Sequence, residues 1–259
     1  MPKFVDRDGV KVAYDTAGRG DPAIILVHGW AGDRSYFAPQ FEHFASRHAV
    51  VALDLRGHGD SDRPEPGSGV YEFDALCDDV LAVAAAAGCD RPVVVGHSMG
   101  GLVVLACAAR AGAVRAAVMI DPAPIVNANI KTYLGQAADA VEADDDGTWR
   151  AGFVSEMFLP TDAARRDEII SRMTTQPPAI AAALVRVMAR FDGASALGAV
   201  EVPLLSIGSA VPNDIAADLR RACPTITIGQ TVGSGHFNQL EVPDQVHAMI
   251  ERFLSINQL

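Results

Sequence analysis

Val93-Val94-Val95-Gly96-His97-Ser98-Met99-Gly100-Gly101 is the stretch that decides how this chain is read. Three consecutive valines are what a strand buried on both faces looks like. Residues 99–111, rich in Leu, Val and Ala, read as a helix. The chain must therefore pass from strand to helix within a few residues. So sharp a bend strains the backbone at Ser98 and leaves no room for side chains beside it, which accounts for glycine at 96 and 100. The same geometry lifts the Ser98 hydroxyl above the carboxyl edge of a sheet, next to a helix N-terminus that favours developing negative charge.

Working outward, residues 11–16, 23–28, 49–53, 92–97 and 114–120 read as strands, and 36–46, 73–87 and 99–111 as helices. This alternation predicts an α/β fold, a mostly parallel central sheet with helices on both faces. It lapses between 124 and 197, where only helical patterns occur, at 133–141, 148–158, 163–174 and 178–190. It resumes with strands at 203–207 and 225–231 around a helix at 215–222. A last amphipathic helix at 243–254 carries Val246, Met249, Ile250 and Phe253 on one face. The expected organisation is a core of 1–123 and 198–259 interrupted by a helical insertion, 124–197. The acidic run Asp144–Asp146 reads as a solvated loop.

Composition narrows the function classes. The 259 residues are 49% hydrophobic, enough for a sizeable core, and 21 Lys and Arg stand against 32 Asp and Glu, a net charge of −11. That balance argues against a nucleic-acid partner. No apolar run approaches the roughly 20 residues of a membrane span. The first residues lack the apolar stretch of a secretory signal, and the four cysteines form no C-x-x-C pair. A cytoplasmic protein with buried thiols is the expectation. Neither H-E-x-x-H nor a phosphate loop is present, so no metal and no cofactor are expected.

A serine hydroxyl becomes a nucleophile only with a base in hydrogen-bond reach. Among seven histidines, His236 stands out, because the small-residue loop Gly233-Ser234-Gly235 can carry it over the sheet edge. His43, His48 and His247 fall on helices or their ends and read as surface residues. His58 reads as part of a turn, and His97 points away from any substrate. Gly29 allows the backbone to turn so that the Trp30 N–H faces Ser98, and with the Met99 N–H it would form a two-donor oxyanion hole.

Taken together, His28-Gly29, Asp54-Leu55-Arg56-Gly57-His58-Gly59-Asp60-Ser61, Gly96-His97-Ser98-Met99-Gly100-Gly101 and Gly235-His236-Phe237 resemble the α/β-hydrolase fold superfamily over nearly the whole chain. The resemblance implies a serine nucleophile and makes the insertion at 124–197 a helical lid. Position 98 departs from the epoxide hydrolases and haloalkane dehalogenases of that superfamily, which carry Asp there.

Two carboxylates compete to orient His236. The superfamily usually places this acid after the first strand beyond the lid, where this chain has Val211 and then, three residues on, Asp214. Asp214 also reads as the N-cap of the helix at 215–222. Asp121, at the end of the strand before the lid, is the preferred reading, held extended by Pro122. Its placement resembles a variant seen in some dehalogenases and zearalenone-type lactonases.

The expected chemistry is that of a serine hydrolase acting on a small-molecule substrate, a small to medium, largely apolar carboxylic ester or lactone. Catalysis runs through an acyl-enzyme and a Ser-His-Asp triad. A C–C bond hydrolase, a cofactor-free perhydrolase and a non-enzymatic ligand receptor are the alternatives. Trp30, Trp149, Phe153 and Phe158 are the expected substrate contacts. Met157, Leu159, Met173, Met188 and Phe191 supply further apolar surface from the insertion.

Overall fold

The computed structural model describes residues 1–160 and 163–259. Its strands are β1 (Lys3–Arg7), β2 (Val10–Ala17), β3 (Ile24–Val27), β4 (Val50–Leu53), β5 (Val93–His97), β6 (Ala116–Ile120), β7 (Leu204–Gly208) and β8 (Thr227–Gln230). They form one eight-stranded sheet in the order β1-β2-β4-β3-β5-β6-β7-β8. Only the β1–β2 and β2–β4 pairs are antiparallel. From β4 to β8 every pair is parallel, as the run of Val and Ile strands predicts.

The helices in chain order are α1 (Ala38–Phe44), α2 (Phe73–Ala86), α3 (Met99–Ala108), α4 (Ala128–Glu142), α5 (Thr148–Ser155), α6 (Ala163–Met173), α7 (Pro178–Arg190), α8 (Gly193–Gly198), α9 (Ala216–Ala222), α10 (Asn238–Glu241) and α11 (Pro243–Ile256). Strand side chains alternate between two cores. Ile25, Val27, Val51, Leu53 and Val94 pack with Leu76, Val80, Leu102 and Leu105 of α2 and α3. Ile24, Leu26, Val50, Val93 and Val95 pack with Phe44, Val246, Ile250 and Phe253 of α1 and α11. Both faces of the sheet are thus covered, and all four β3 residues are fully buried. Among the described residues no helix is long and apolar enough to cross a membrane.

The structure departs from the sequence reading at identifiable places. The edge strand β1 is absent from that reading because it is short and largely exposed. Its signal is Asp8-Gly9, both at positive φ (56° and 81°), the dipeptide of a tight hairpin. Helices α8 and α10, of six and four residues, are too short to show a period. The acidic run is not simply a solvated loop. Asp144 is buried, accepts from the Trp149 and Arg150 N–H groups at 2.8 and 3.1 Å, and pairs with the buried Arg150 guanidinium at 2.7 Å. It closes the N-terminus of α5, and those partners hold its carboxyl below the usual range against the opposing effect of burial. Cys77, Cys107 and Cys223 are buried free thiols, whereas Cys89 is half-buried.

Candidate functional site

Sheet order brings four loop starts into line. β3, β5, β6 and β7 are consecutive neighbours, with His97 opposite Ile120 and Ile120 opposite Ile207. The residues just past those strand ends, Trp30, Ser98, Asp121 and Ser209, therefore converge on the carboxyl edge, where α/β sheets place their ligands. His236 enters beyond β8, and all five line one cavity of about 290 Å³.

Ser98 has φ 52° and ψ −119°, a conformation a side-chain-bearing residue adopts only under constraint. The constraint is the hydrogen bonding around it. Its N–H donates to Ile120 O at 3.0 Å, and its carbonyl accepts from Gly101 N and Ala123 N at 2.9 and 3.0 Å. Gly100 is required for packing as much as for the turn. A Cβ there would overlap the carbonyl oxygens of Val27 and His28, so β3 would have to move. Gly100→Ala is expected to cost about 3 kcal/mol of stability, readable as a lowered midpoint in urea unfolding.

The His236 Nδ1 lies 2.6 Å from Asp121 Oδ2. A carboxylate only accepts, so Nδ1 carries a proton, and Nε2 is the ring nitrogen not engaged by Asp121. Asp121 is nearly fully buried, and its other oxygen accepts from Ser209 N at 2.8 Å. Its backbone corrects an expectation: rather than extended, it sits at φ 37°. The Asp121 N–H bond to Ile207 O at 2.7 Å and the two side-chain contacts hold it in that left-handed region despite Pro122.

Asp214 is engaged elsewhere. Oδ2 accepts from Ile125 N at 2.7 Å, and Oδ1 from Val126 N and Asn127 N at 2.9 and 2.8 Å. Nor is it the helix cap anticipated, since α9 starts after Ile215 with no side-chain cap. Asp214 instead fastens the chain entering α4 to the loop after β7. No local sequence pattern marks that contact across 88 positions.

His97 is buried. Its Nε2 donates to the His236 carbonyl at 2.8 Å, while the His236 N–H donates to Met157 O at 2.9 Å. The peptide of His236 is thus held by the elbow on one side and by the helical insertion on the other. Burial keeps the His97 imidazole well below its ordinary pKa, and so neutral. His58 joins the loops after β3 and β4: its Nε2 accepts from Ala31 N at 3.2 Å, and its Nδ1 donates to Arg56 O at 3.0 Å. Burial pushes His58 down to about 3, so this brace next to Trp30 survives at any ordinary pH. His43 and His48 are half-buried. His247, read as a surface residue, is buried and stacks on His43 with ring centroids 4.0 Å apart.

Among the described residues, the Trp30 and Met99 N–H groups have no backbone acceptor. The Trp30 indole N–H donates to Ala181 O at 3.0 Å, tying the loop to α7. Trp30, Phe153 and Phe158 line the cavity. Trp149 does not, and its expected substrate contact is corrected: it stacks on Phe153 from behind, 5.3 Å between centroids. Met157, Leu159 and Met188 also line the cavity. Phe191 packs instead on Phe73, and Met173 lies beneath Trp30 and Phe237 in the neighbouring small void. Helical spacing shows which side chains share a face but not which layer of a two-deep aromatic stack meets the cavity. For the same reason Ile130, Tyr133, Leu134 and Val185, which line it too, escaped the sequence reading.

Comparisons with known proteins agree with this architecture. The chain is 32% identical over 144 residues to 2-(acetamidomethylene)succinate hydrolase of Mesorhizobium japonicum, a match covering 55% of this chain and 48% of that one. The curated relatives it matches are longer, and the matched part spans from about a quarter to a half of their length. The enol-lactonase of Burkholderia xenovorans LB400 superposes with a TM-score of 0.83 at 21% identity, covering 98% of this chain and all of that one. Est816, described as an N-acyl homoserine lactone degrading enzyme, superposes with a TM-score of 0.80 at 25% identity over 97% and 100% of the two chains. The model of the alpha/beta hydrolase fold family matches residues 22–243, and the chain belongs to that family.

Proposed function

We propose that this protein is a serine hydrolase that opens small to medium, largely apolar carboxylic esters or lactones through an acyl-enzyme. The observation that carries the reading is the 2.6 Å contact between His236 Nδ1 and Asp121 Oδ2, in a cavity whose wall also holds Ser98. In this reading Ser98 Oγ attacks the carbonyl carbon and gives its proton to His236 Nε2, while Asp121 stabilises the imidazolium. The Trp30 and Met99 N–H groups hold the oxyanion. His236 then protonates the departing alkoxide, and water reverses the sequence to free the acid.

The walls support the substrate class. Ile130, Leu134, Phe153, Leu159, Val185 and Met188 give an apolar space, and a cavity of about 290 Å³ suits a medium-sized molecule. Helices α4, α5 and α7, within the insertion read as 124–197, act as the lid over that space. The enol-lactonase and the lactone-degrading neighbour are consistent with this reading.

The test is to trap the intermediate. Mixing the protein with p-nitrophenyl butyrate, quenching in acid and digesting is expected to give a butyryl adduct on the peptide that contains Ser98. A burst of nitrophenolate equal to the protein concentration should accompany it. Steady turnover with an adduct on another residue, or with neither burst nor adduct at any quench time, would overturn the reading.

A further inference from the structure

The charge lining the cavity narrows the substrate class further, an inference that rests on the reading of this cavity as the ester site. Among the described residues two ionisable acids line it, Asp121 and Glu156. Among the described residues lining it there is no Lys or Arg, and the sequence 161–164, Thr-Asp-Ala-Ala, contains none either. The Asp121 carboxylate, which accepts from His236 Nδ1 and Ser209 N, contributes one negative charge. Glu156, the residue that follows α5, is exposed to solvent and contributes a second. Among the described residues Glu156 forms no ion pair. The guanidinium of Arg166 donates to the hydroxyl of Ser155 and does not line the cavity.

A carboxylate entering an apolar cavity gives up hydration and needs a cation in exchange. Here it would meet two like charges and no cationic partner among the described residues lining the cavity. We propose that the site takes esters and lactones whose acyl part is uncharged, that it turns away those bearing a carboxylate, and that Glu156 is a specificity-determining residue. The succinate hydrolase relative is named for an acid of the kind this cavity is charged against.

The test compares p-nitrophenyl hexanoate with mono-p-nitrophenyl adipate, the six-carbon ester ending in a carboxylate. The expected kcat/KM ratio favours hexanoate by about 100-fold at low salt. Each unit of charge at an exposed position shifts such a ratio by about 4-fold. Glu156→Gln should therefore narrow it by that factor and Glu156→Lys by about 15-fold, with the Lys effect fading in 0.5 M salt. Binding is read independently of turnover, by titrating tryptophan fluorescence with heptan-2-one and with 6-oxoheptanoate, ketones of the same length that cannot be hydrolysed. Wild type should bind the neutral ketone more tightly, and Glu156→Lys should close the gap. Equal kcat/KM for the two esters, or equal affinity for the two ketones, overturns the charge exclusion. Ratios unmoved by Glu156→Lys overturn the role of Glu156. Failure to turn over either ester counts against the serine-hydrolase reading alone, because the ketone titration still decides the charge question.

Discussion

Replacing Ser98 by Ala is expected to lower kcat for p-nitrophenyl butyrate by about ten-thousand-fold or more, with KM within a few-fold of wild type. The separation of the two constants follows from the geometry. The Ser98 hydroxyl contributes one atom to the wall of a cavity whose volume and apolar lining come from α4, α5 and α7, so ground-state binding barely changes. On the proposed mechanism, what is lost is the path through the acyl-enzyme. The residual rate comes from the oxyanion donors and from binding, which persist. His236→Ala is expected to fall to a similar level, and the double variant no further, because nucleophile and base act as one unit. Near-additive losses would mean that His236 serves some step other than deprotonating Ser98. A Ser98→Ala protein keeping more than about a tenth of wild-type kcat would move the nucleophile elsewhere.

Why these two side chains could be found in the sequence, and others could not, has a physical basis. Ser98 announces itself locally: a buried strand, two obligatory glycines and a helix fall within nine residues, and steric exclusion at Gly100 leaves few other ways to write that turn. His236 follows from the small residues around it; at Gly235 a Cβ would lie 2.6 Å from Met157 O. The parallel sheet is equally legible, since strands buried on both faces have to be apolar throughout. Contacts made across the fold leave no such trace. That Asp214 ties down the start of α4 and that His247 stacks on His43 both depend on which surfaces meet. Hydrophobic period specifies a face and not its partner. The left-handed backbone at Asp121 is of the same kind: Pro122 argues against it locally, and bonds to Ile207 and Ser209 at the end of β7 and to His236 beyond β8 override that preference.

The assignment of the orienting acid carries the second large effect, and the two aspartates should separate into one activity defect and one stability defect. Asp121→Asn keeps the shape but puts an amide where the carboxylate accepts both the Ser209 N–H and the His236 Nδ1–H. One oxygen cannot serve both, so either His236 takes the tautomer whose Nε2 bears a proton or the ring loses its anchor. Each outcome removes the base from Ser98, and the expected loss in kcat is about ten-thousand-fold. Asp214→Asn removes one of the oxygens that together accept from Ile125, Val126 and Asn127. It leaves at least one buried N–H facing an amide donor, at about 2 kcal/mol of unfolding free energy. Because both Asp214 oxygens are already occupied, none is left for His236, and kcat should stay within several-fold of wild type below the melting transition. Thermal melts and kcat measured on the same two proteins decide the matter. A catalytic collapse in Asp214→Asn with an unchanged melt, beside a nearly normal Asp121→Asn, would transfer the role to Asp214 and require the loop after β7 to swing toward His236 in the working protein.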